Sequence, residues 1–390
     1  MTKGRINSKL DNHKLNNIKV LNIFHNQEHS DEPGNEINGP KARLEKYPFV
    51  QKYQDKGQSR NYTTSLPNEQ ENIVGGLSNK AIVIIVAYMR TGSSLTGSIF
   101  QEYPGTTFKV DEKHPVFMEE IKNWLTCDLE SISIASLSEA FHMYNTKVMR
   151  SFYNCAKEDL KKLVSFRNGK STGDAAGVVT KRCLNRAIVR CNAAPLLAFK
   201  FIRLRMGEAR MLIPYFPNLK IVHLVRDPRA IFNSRKSVGL GKSKIDVSSV
   251  DPVKEFCSLV EEDIIQSKLI LRTEPARVHL LMYEDLAENP IQTAEKLFQF
   301  ANLAFSVKIK NYMIHKTSSK RDSCKFCTER KNSTVTSMKW RSTIRYSDAY
   351  HIYRTCKNSM DAFGYLPLSD LSQLRNRDIS SRLKHGVYPL

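Results

Sequence analysis

Four runs of apolar residues, rich in β-branched side chains, are spread along the chain. They lie at Ala81–Tyr88, Leu196–Leu204, Leu219–Val225 and Arg277–Tyr283. The first run is apolar throughout and does not alternate with polar residues, which is typical of a strand buried on both faces of a parallel sheet. The pattern therefore predicts parallel strands in a sheet whose two faces are both covered.

Segments with helical periodicity alternate with these runs. They are predicted at Gly97–Glu102, Gly207–Phe216, Val253–Arg272 and Thr293–Ala301, and Tyr346–Phe363 is predicted as one more amphipathic helix. Strands and helices that alternate in this way are typical of βαβ crossovers. The expected fold class is therefore α/β, with a central parallel sheet flanked by helices.

The N-terminal fifth of the chain has a different character. Residues 1–79 are rich in Asn, Lys, Gln and Gly, lack sustained periodicity and contain several turn formers. This composition predicts a flexible, basic, polar extension followed by one α/β domain over residues 80–390. The longest early apolar run, Ala81–Tyr88, is much shorter than the roughly 20 residues of a membrane span. We therefore expect neither a transmembrane segment nor a signal peptide in this sequence.

The net charge indicates an anionic partner. The chain has 60 Lys and Arg against 39 Asp and Glu, a formal charge of +21 over 390 residues. Such an excess attracts nucleic acid, membrane surfaces, sulfated or phosphorylated ligands, or acidic polysaccharides. A nucleic-acid-binding protein is therefore one hypothesis, although the chain has no recognisable DNA- or RNA-reading motif.

The first apolar run leads into a candidate anion-binding loop. The loop and the start of the following helix comprise Met89, Arg90, Thr91, Gly92, Ser93, Ser94 and Leu95. A short turn at a helix N-terminus presents free backbone N–H groups and the positive end of the helix dipole to an anion, and Arg90 adds a full charge. A Walker A loop is disfavoured because G-x-x-x-x-G-K-[ST] is absent. The alternative is an ordinary strand–helix turn capped by Ser93 or Ser94.

A second strand-to-helix junction has the composition of a phosphate grip. It comprises Arg226, Asp227, Pro228, Arg229, Ala230, Ile231, Phe232, Asn233 and Ser234. Asp227 is a good N-cap, and Pro228 suits the first helical position. Arg226 then lies at the carboxyl end of the strand and Ser234 two helical turns on, where both can hold one phosphate. The alternative is that Arg226 pairs with Asp227 or another acid at the sheet edge.

Together the two junctions resemble the paired cofactor loops of Golgi carbohydrate sulfotransferases, more narrowly the galactose/N-acetylglucosamine/N-acetylgalactosamine 6-O-sulfotransferase family. Further segments agree in order and spacing and extend the resemblance over Ala81–Leu366: Lys200–Leu204, Tyr283–Leu286, Asn289–Pro290, Asn332–Ser333, Lys339–Arg341 and Phe363–Tyr365. The resemblance implies the sulfotransferase fold, which has a P-loop-NTPase-like sheet. It also implies transfer of sulfate from 3′-phosphoadenosine 5′-phosphosulfate (PAPS) to a sugar hydroxyl, without a metal.

The resemblance further implies the acceptor, the compartment and the roles of the loops. The acceptor would be the 6-hydroxyl of GlcNAc, Gal or GalNAc in a glycan or glycosaminoglycan, in the Golgi lumen. Residues Met89–Leu95 would bind the 5′-phosphosulfate of PAPS, with Arg90 and Ser93 taking part in catalysis, and Arg226–Ser234 would bind the 3′-phosphate. A cytosolic-type sulfotransferase acting on small phenols or alcohols stays an alternative, because no membrane anchor is visible.

The expected general base is Glu112, which follows the first helix where the family has a glutamate. The family has an aromatic residue before this glutamate and a proline after it, whereas Asp111 and Lys113 flank Glu112 here. Asp111 and His114 therefore remain rival candidates for the base.

The eight cysteines fit either four disulfides or a reduced cytosolic protein. Cys324 and Cys327 have the spacing of a zinc-ligand pair, for which only Cys356 and His351 are further candidates. The pair lies in an insertion relative to the family, so we expect a local disulfide and no metal if the protein is luminal.

Three further expectations concern polar segments outside the two loops. Lys339 and Arg341 either line the cleft or belong to an amphipathic surface, with Trp340 in the core. Asn332 begins a glycosylation sequon but is expected to be structural or close to the cofactor, whereas Asn61 is a plausible glycosylation site.

Overall fold

The structure is a computed structural model that describes residues 80–104, 107–111, 118–132, 152, 154–155, 173–239, 251–322 and 327–383. At 107–111 and 173–182 it describes the backbone only. The predicted extension over residues 1–79, with Asn61, lies outside the described residues.

Within the described residues, five parallel strands form the central sheet, in the order β2-β3-β1-β4-β5. The strands are β1 (Ala81–Ala87), β2 (Thr107–Asp111), β3 (Leu196–Phe201), β4 (Leu219–Val225) and β5 (Val278–Met282). The four predicted strands are confirmed, and β2 is the one that the apolar pattern missed. Its five residues place Lys109 between two apolar side chains and so lack the continuous apolar character of the others.

The central strand β1 is buried on both faces, as its sequence predicts. Ile82, Ile84 and Val86 pack into one apolar cluster, and the alternate side chains Val83 and Ile85 pack into a second cluster on the opposite face. Because successive side chains of a strand point to opposite faces, a run without polar residues is what a doubly covered strand requires. The two covering layers are therefore already encoded in β1.

Helices cover both faces of the sheet and extend beyond its carboxyl edge. Those within the described residues are α1 (Ser93–Gln101), α2 (Met118–Leu125), α3 (Gly173–Ala193), α4 (Met206–Leu212), α5 (Pro228–Ser237), α6 (Pro252–Thr273), α7 (Tyr283–Glu288), α8 (Pro290–Phe300), α9 (Val307–Thr317), α10 (Ser333–Met338), α11 (Trp340–Thr343), α12 (Tyr346–Thr355), α13 (Lys357–Ala362) and α14 (Leu371–Arg375). The single helix predicted over Tyr346–Phe363 is wrong, because the chain turns at Cys356 between α12 and α13. Among these helices none is long and apolar enough to cross a membrane.

Disulfide bonds decide between the two interpretations of the cysteines. Three pairs join described residues: Cys127 with Cys191, Cys155 with Cys183, and Cys257 with Cys356. Cys327 is also disulfide-bonded, and the predicted partner Cys324 lies outside the described residues. The third pair ties the turn at Cys356 to α6.

The strand order places a ligand crevice above β1. Strands β3 and β4 flank β1, so the connections that leave β1 and β4 begin side by side at the carboxyl edge, where Ala87 pairs with Leu224. Open α/β sheets bind ligands at this kind of topological switch point.

Candidate functional site

The two predicted loops meet at the carboxyl edge of the sheet. The Nε of Arg90 donates to the Oγ of Ser234 at 2.9 Å. In the opposite direction, the Nη1 of Arg226 donates to the backbone carbonyl of Arg90 at 3.0 Å. Residues far apart in sequence are thus joined through Arg90.

The start of helix α1 has the backbone of an anion cradle. Its N-cap is Gly92, with a left-handed φ of 92°, and no side-chain cap hydrogen bond forms there among the described residues. The alternative in which Ser93 or Ser94 caps this turn is therefore wrong. Ser94 is exposed, whereas Thr91 is buried and its hydroxyl donates to the carbonyl of Tyr88 at 2.7 Å. The first N–H groups of α1 consequently remain available to a ligand.

Gly92 is required where the loop passes over the ring of Tyr283. A Cβ atom at Gly92 would lie 2.3 Å from Cδ2 and 2.6 Å from Cε2 of that ring. The guanidinium of Arg226 also packs on this ring, 4.2 Å from its centroid. Gly92 and Arg226 therefore both pack against Tyr283.

A Gly92→Ala variant is expected to lose at least tenfold in affinity for an anionic ligand and about 1–3 kcal/mol in the free energy of unfolding, because the added methyl group overpacks against Tyr283. Gly239→Ala is the matched control, since Gly239 has a comparable φ of 80° but no atom of the described residues lies within 4 Å of an added Cβ. It carries the cost of the left-handed backbone alone, about 1–2 kcal/mol. Denaturant unfolding and ligand titration of both variants measure the difference, and equal effects would rule out the steric explanation.

Positive charge is concentrated at this loop. Burial, followed by repulsion from Arg226 and Arg330, lowers the pKa of the Arg90 guanidinium. The Nε of Arg226 is buried and has no hydrogen-bond partner among the described residues. An unsatisfied buried donor beside a second guanidinium is an arrangement that an anion would satisfy. Arg330 was not predicted from the sequence. Its position just before Asn332–Ser333 is the one sequence feature that could have indicated a role near the loop.

The second junction begins as predicted, but most of its side chains point into the protein. Asp227 caps α5 by accepting from the N–H of Arg229 at 2.9 Å, and Pro228 occupies the first turn. Asp227 also forms a buried ion pair with the Arg229 guanidinium, at 2.9 Å between Oδ2 and Nη2. Asp227 therefore pairs with Arg229, and the alternative in which it pairs with Arg226 is wrong.

The remaining residues of the junction differ in burial and in their contacts. Ala230 and Ile231 are fully buried, and Phe232 lies edge-on to Phe256 at 5.4 Å between ring centroids. Asn233 donates to the hydroxyl of Thr343 at 2.8 Å. Of the nine predicted residues, the structure directs the side chains of Arg226 and Ser234 toward the first loop.

A buried polar chain lies directly beneath the first loop. The hydroxyl of Tyr88 donates to Asp263 at 2.8 Å and lies 3.0 Å from Nε2 of His223, whose Nδ1 is 2.8 Å from the Ser267 hydroxyl. Burial lowers the pKa of His223 to about 3, so its ring is neutral at neutral pH. We assign the proton of this ring to Nε2, because Tyr88 already donates to Asp263. Arg205 pairs with the other oxygen of Asp263 at 3.2 Å.

Glu284 supports the second loop from below. Its carboxylate accepts from the backbone N–H of Asp227 at 3.1 Å and from the hydroxyl of Tyr365 at 2.9 Å. Burial raises the pKa of Glu284, and the positive charge of Arg226 counteracts this shift. The segments Tyr283–Leu286 and Phe363–Tyr365 thus act as a scaffold under the cleft.

The candidates for the general base follow the edge strand β2. Asp111 is the last residue of β2 and pairs in register with Phe201, which in turn pairs with Val86 of β1. Two strand spacings of about 4.8 Å separate the backbone of Asp111 from β1. Glu112 and His114 lie outside the described residues.

The C-terminal polar segments take structural positions. Arg341 is fully buried and donates to four backbone carbonyls between Gln373 and Ile379. The expectation that Arg341 lines the cleft or a surface is therefore wrong, because its charge is used to hold the C-terminal segment. Trp340 is in the core as predicted. Asn332 caps α10 by accepting from the N–H of Val335 at 2.9 Å, which confirms a structural role.

The proposed further zinc ligands have other partners. Cys356 is bonded to Cys257, and His351 lies 3.0 Å from Asp251. Within the part of the chain that the structure describes, no group of three or more His, Cys, Asp or Glu side chains is arranged to hold a metal.

Sequence and structure are both similar to known proteins. A family model described as "Sulfotransferase family" matches residues 82–306. The chain is 26% identical over 359 residues to carbohydrate sulfotransferase 3 of Mus musculus, covering 82% of this chain and 75% of the relative. It is 23% identical over 355 residues to carbohydrate sulfotransferase 1 of Danio rerio, covering 78% and 82%. Among solved structures, the sulfotransferase domain of a Synechococcus olefin synthase matches with a TM-score of 0.40 and 15% identity, over 71% of this chain and 94% of that chain.

Proposed function

The chain belongs to the sulfotransferase family, and on that premise we propose that it transfers a sulfuryl group from PAPS to a hydroxyl of a carbohydrate. The observation that carries the proposal is the meeting of Arg90, Arg226 and Ser234 at the uncapped start of α1. Family membership makes the chain an enzyme, so the net charge no longer needs a nucleic acid to account for it.

The residues of the cleft fit a donor that carries phosphates. The uncapped first turn of α1 offers backbone N–H groups, and the buried Nε of Arg226 lacks a partner among the described residues. Residues 89–95 hold the 5′-phosphosulfate in this proposal, and Arg226 with Ser234 holds the 3′-phosphate. Bound PAPS supplies the activated sulfuryl group.

Arg90 has the main electrostatic role in the proposed reaction. Its half-buried guanidinium is oriented by Ser234, and it acts beside the N-terminus of α1 on the negative charge that builds up on the departing phosphate. Because these groups are already in place before the reaction, little reorganisation is needed during transfer.

A glutamate completes the proposed machinery by accepting the proton of the acceptor hydroxyl. We propose Glu112 for this role. Asp111, the preceding residue, ends β2 at the same carboxyl edge of the sheet as the two loops, which supports a base contributed by this part of the chain.

The relatives and the disulfides support a proposal for the acceptor and the compartment. We propose a 6-hydroxyl of GlcNAc, Gal or GalNAc in a glycan or glycosaminoglycan as acceptor, in keeping with relatives that are carbohydrate sulfotransferases. The Golgi lumen is the proposed location, and the three disulfide pairs among described residues support it because such bonds persist in oxidising compartments.

Transfer of radiolabelled sulfate from PAPS tests the function directly. The acceptors are keratan, chondroitin, N-acetylglucosamine-terminated oligosaccharides and a small phenol, followed by linkage analysis of the product. We expect label in the saccharides at a 6-hydroxyl. Label in the phenol alone would instead identify a small-molecule sulfotransferase.

A Glu112→Gln variant is expected to bind the product nucleotide 3′-phosphoadenosine 5′-phosphate (PAP) normally and to transfer sulfate about 10²-fold more slowly, because it cannot accept the acceptor proton. Asp111→Asn and His114→Gln are the matched comparisons and should keep near-parental turnover. If one of them is the slow variant and Glu112→Gln is not, the base lies at that position.

A further inference from the structure

Arg235, one residue beyond the predicted phosphate grip, contacts the first loop. Its Nε and Nη2 lie 3.4 Å and 3.3 Å from the carbonyl oxygen of Met89. The guanidinium also lies 5.1 Å and 5.0 Å from the ring centroids of Phe232 and Phe256. No carboxylate of the described residues forms an ion pair with it, and burial lowers its pKa to about 10. The Arg235 guanidinium is thus a desolvated cation whose polar contact is the backbone carbonyl of Met89.

The same loop is held at the next residue by a second guanidinium. Arg226 donates to the carbonyl of Arg90, directly after the carbonyl of Met89 that Arg235 contacts. These two carbonyls belong to the peptide groups on either side of the Arg90 Cα atom. Their relative orientation is determined by the φ and ψ angles of Arg90, so holding both carbonyls holds the conformation of that residue.

The conformation held in this way is unfavourable for arginine. Arg90 has a φ of 75°, in the left-handed region that residues with a Cβ atom rarely adopt. Strained backbone of this kind persists only where the surroundings hold it, and it is concentrated at functional sites. The left-handed turn also directs the Arg90 side chain to Ser234.

We propose that Arg235 is a positioning residue which, together with Arg226, clamps the two carbonyls around Arg90 and presents the first loop to the sulfate donor in its binding conformation. The inference rests on the proposed function, because it assumes that this loop binds the donor. Arg235 acts through the backbone of the loop and does not itself touch the donor.

Titration of the full-length protein with PAP tests this role. Arg235→Met removes both donors to the Met89 carbonyl and keeps an apolar side chain beside Phe232 and Phe256, and Arg235→Ala removes the donors together with the side chain. Both are expected to raise the dissociation constant of PAP about tenfold, since the loop is no longer preorganised. The KM for PAPS should rise by a similar factor and the KM for the saccharide should not change. Arg235→Lys, which keeps a donor for Met89, should recover most of the affinity.

Two comparisons separate positioning from direct contact and from lost charge. Lys236→Gln removes the same charge from the next residue, which is exposed and pairs with Asp348, and it should bind PAP like the parent protein. In an Arg90→Asn background the left-handed conformation is intrinsically easier. The tenfold effect of Arg235→Met should therefore shrink to less than threefold there.

The outcomes distinguish this inference from the proposed function. Failure of the parent protein to bind PAP overturns both. Tight binding by the parent and equally tight binding by Arg235→Met and Arg235→Ala overturns the clamp and leaves the function standing. An undiminished tenfold loss in the Arg90→Asn background also overturns the clamp, because it would mean that Arg235 contacts the donor directly.

Discussion

An Arg90→Ala variant is expected to transfer sulfate with a kcat/KM about 10²- to 10³-fold lower than the parent enzyme. The guanidinium of Arg90 is half-buried, and burial together with Arg226 and Arg330 lowers its pKa, so its charge lies in poorly solvated surroundings. Charge in such surroundings acts more strongly on the departing phosphate than it would in water. Ser234 holds the group in a fixed direction, and the variant loses that preorganisation as well.

Two control variants make this result specific. Arg90→Lys keeps the charge but not the planar fork that meets Ser234, and it should fall between the parent and Arg90→Ala. Lys236→Ala removes a neighbouring exposed cation and should keep full turnover. PAP-dependent thermal stabilisation should shrink in Arg90→Ala. Turnover of Arg90→Ala within threefold of the parent would exclude Arg90 from the donor site.

An Asp227→Ala variant is expected to lose about 3–5 kcal/mol in the free energy of unfolding, because it strands a buried cation. Asp227 and Arg229 have side-chain exposures of 2% and 1% and contact each other through both carboxylate oxygens. The remaining bonds of Arg229 go to the carbonyls of Leu366 and Ser381, which cannot neutralise its charge. Denaturant unfolding monitored by circular dichroism measures the loss.

The double variant Asp227→Ala/Arg229→Met provides the decisive comparison. It removes both charges and should recover much of the stability lost in Asp227→Ala. Asp348→Ala is a surface control, because Asp348 bridges the exposed cations Lys236 and Arg345, and its removal should cost less than about 1 kcal/mol. A double variant as unstable as the single one would show that Asp227 acts through its N-cap and not through the ion pair.

The positions of Arg226 and Arg229 differ in a way that the sequence does not predict. Both are arginines of one motif beside the same N-cap, and both were predicted to bind the cofactor. Arg226 reaches the first loop, whereas Arg229 turns into the core and bonds to the carbonyls of Leu366 and Ser381. Nothing within the motif encodes that difference, because the partners of Arg229 come from the far end of the chain.

The missed features have the same physical origin. Strand β2 is stabilised by pairing with β3 and not by an apolar pattern of its own. The turn at Cys356 separates two segments of one amphipathic pattern, and Cys356 is bonded to distant Cys257. Arg330 and Arg235 carry no local sign of a role, since each acts on a loop more than a hundred residues away in the chain.

By itself, the sequence determined the α/β class, four of the five strands, the N-cap of α5 and the position of both loops. These features depend on local patterns: continuous apolar runs, the φ of proline, the capping oxygen of Asp227. Only the tertiary structure decided which side chains of those loops meet, since Arg90, Ser234, Arg226 and Arg235 come together through the pairing of β1 with β4. It also decided that Arg229 and Arg341 are internal, because burial of a charged group depends on partners that local sequence does not specify.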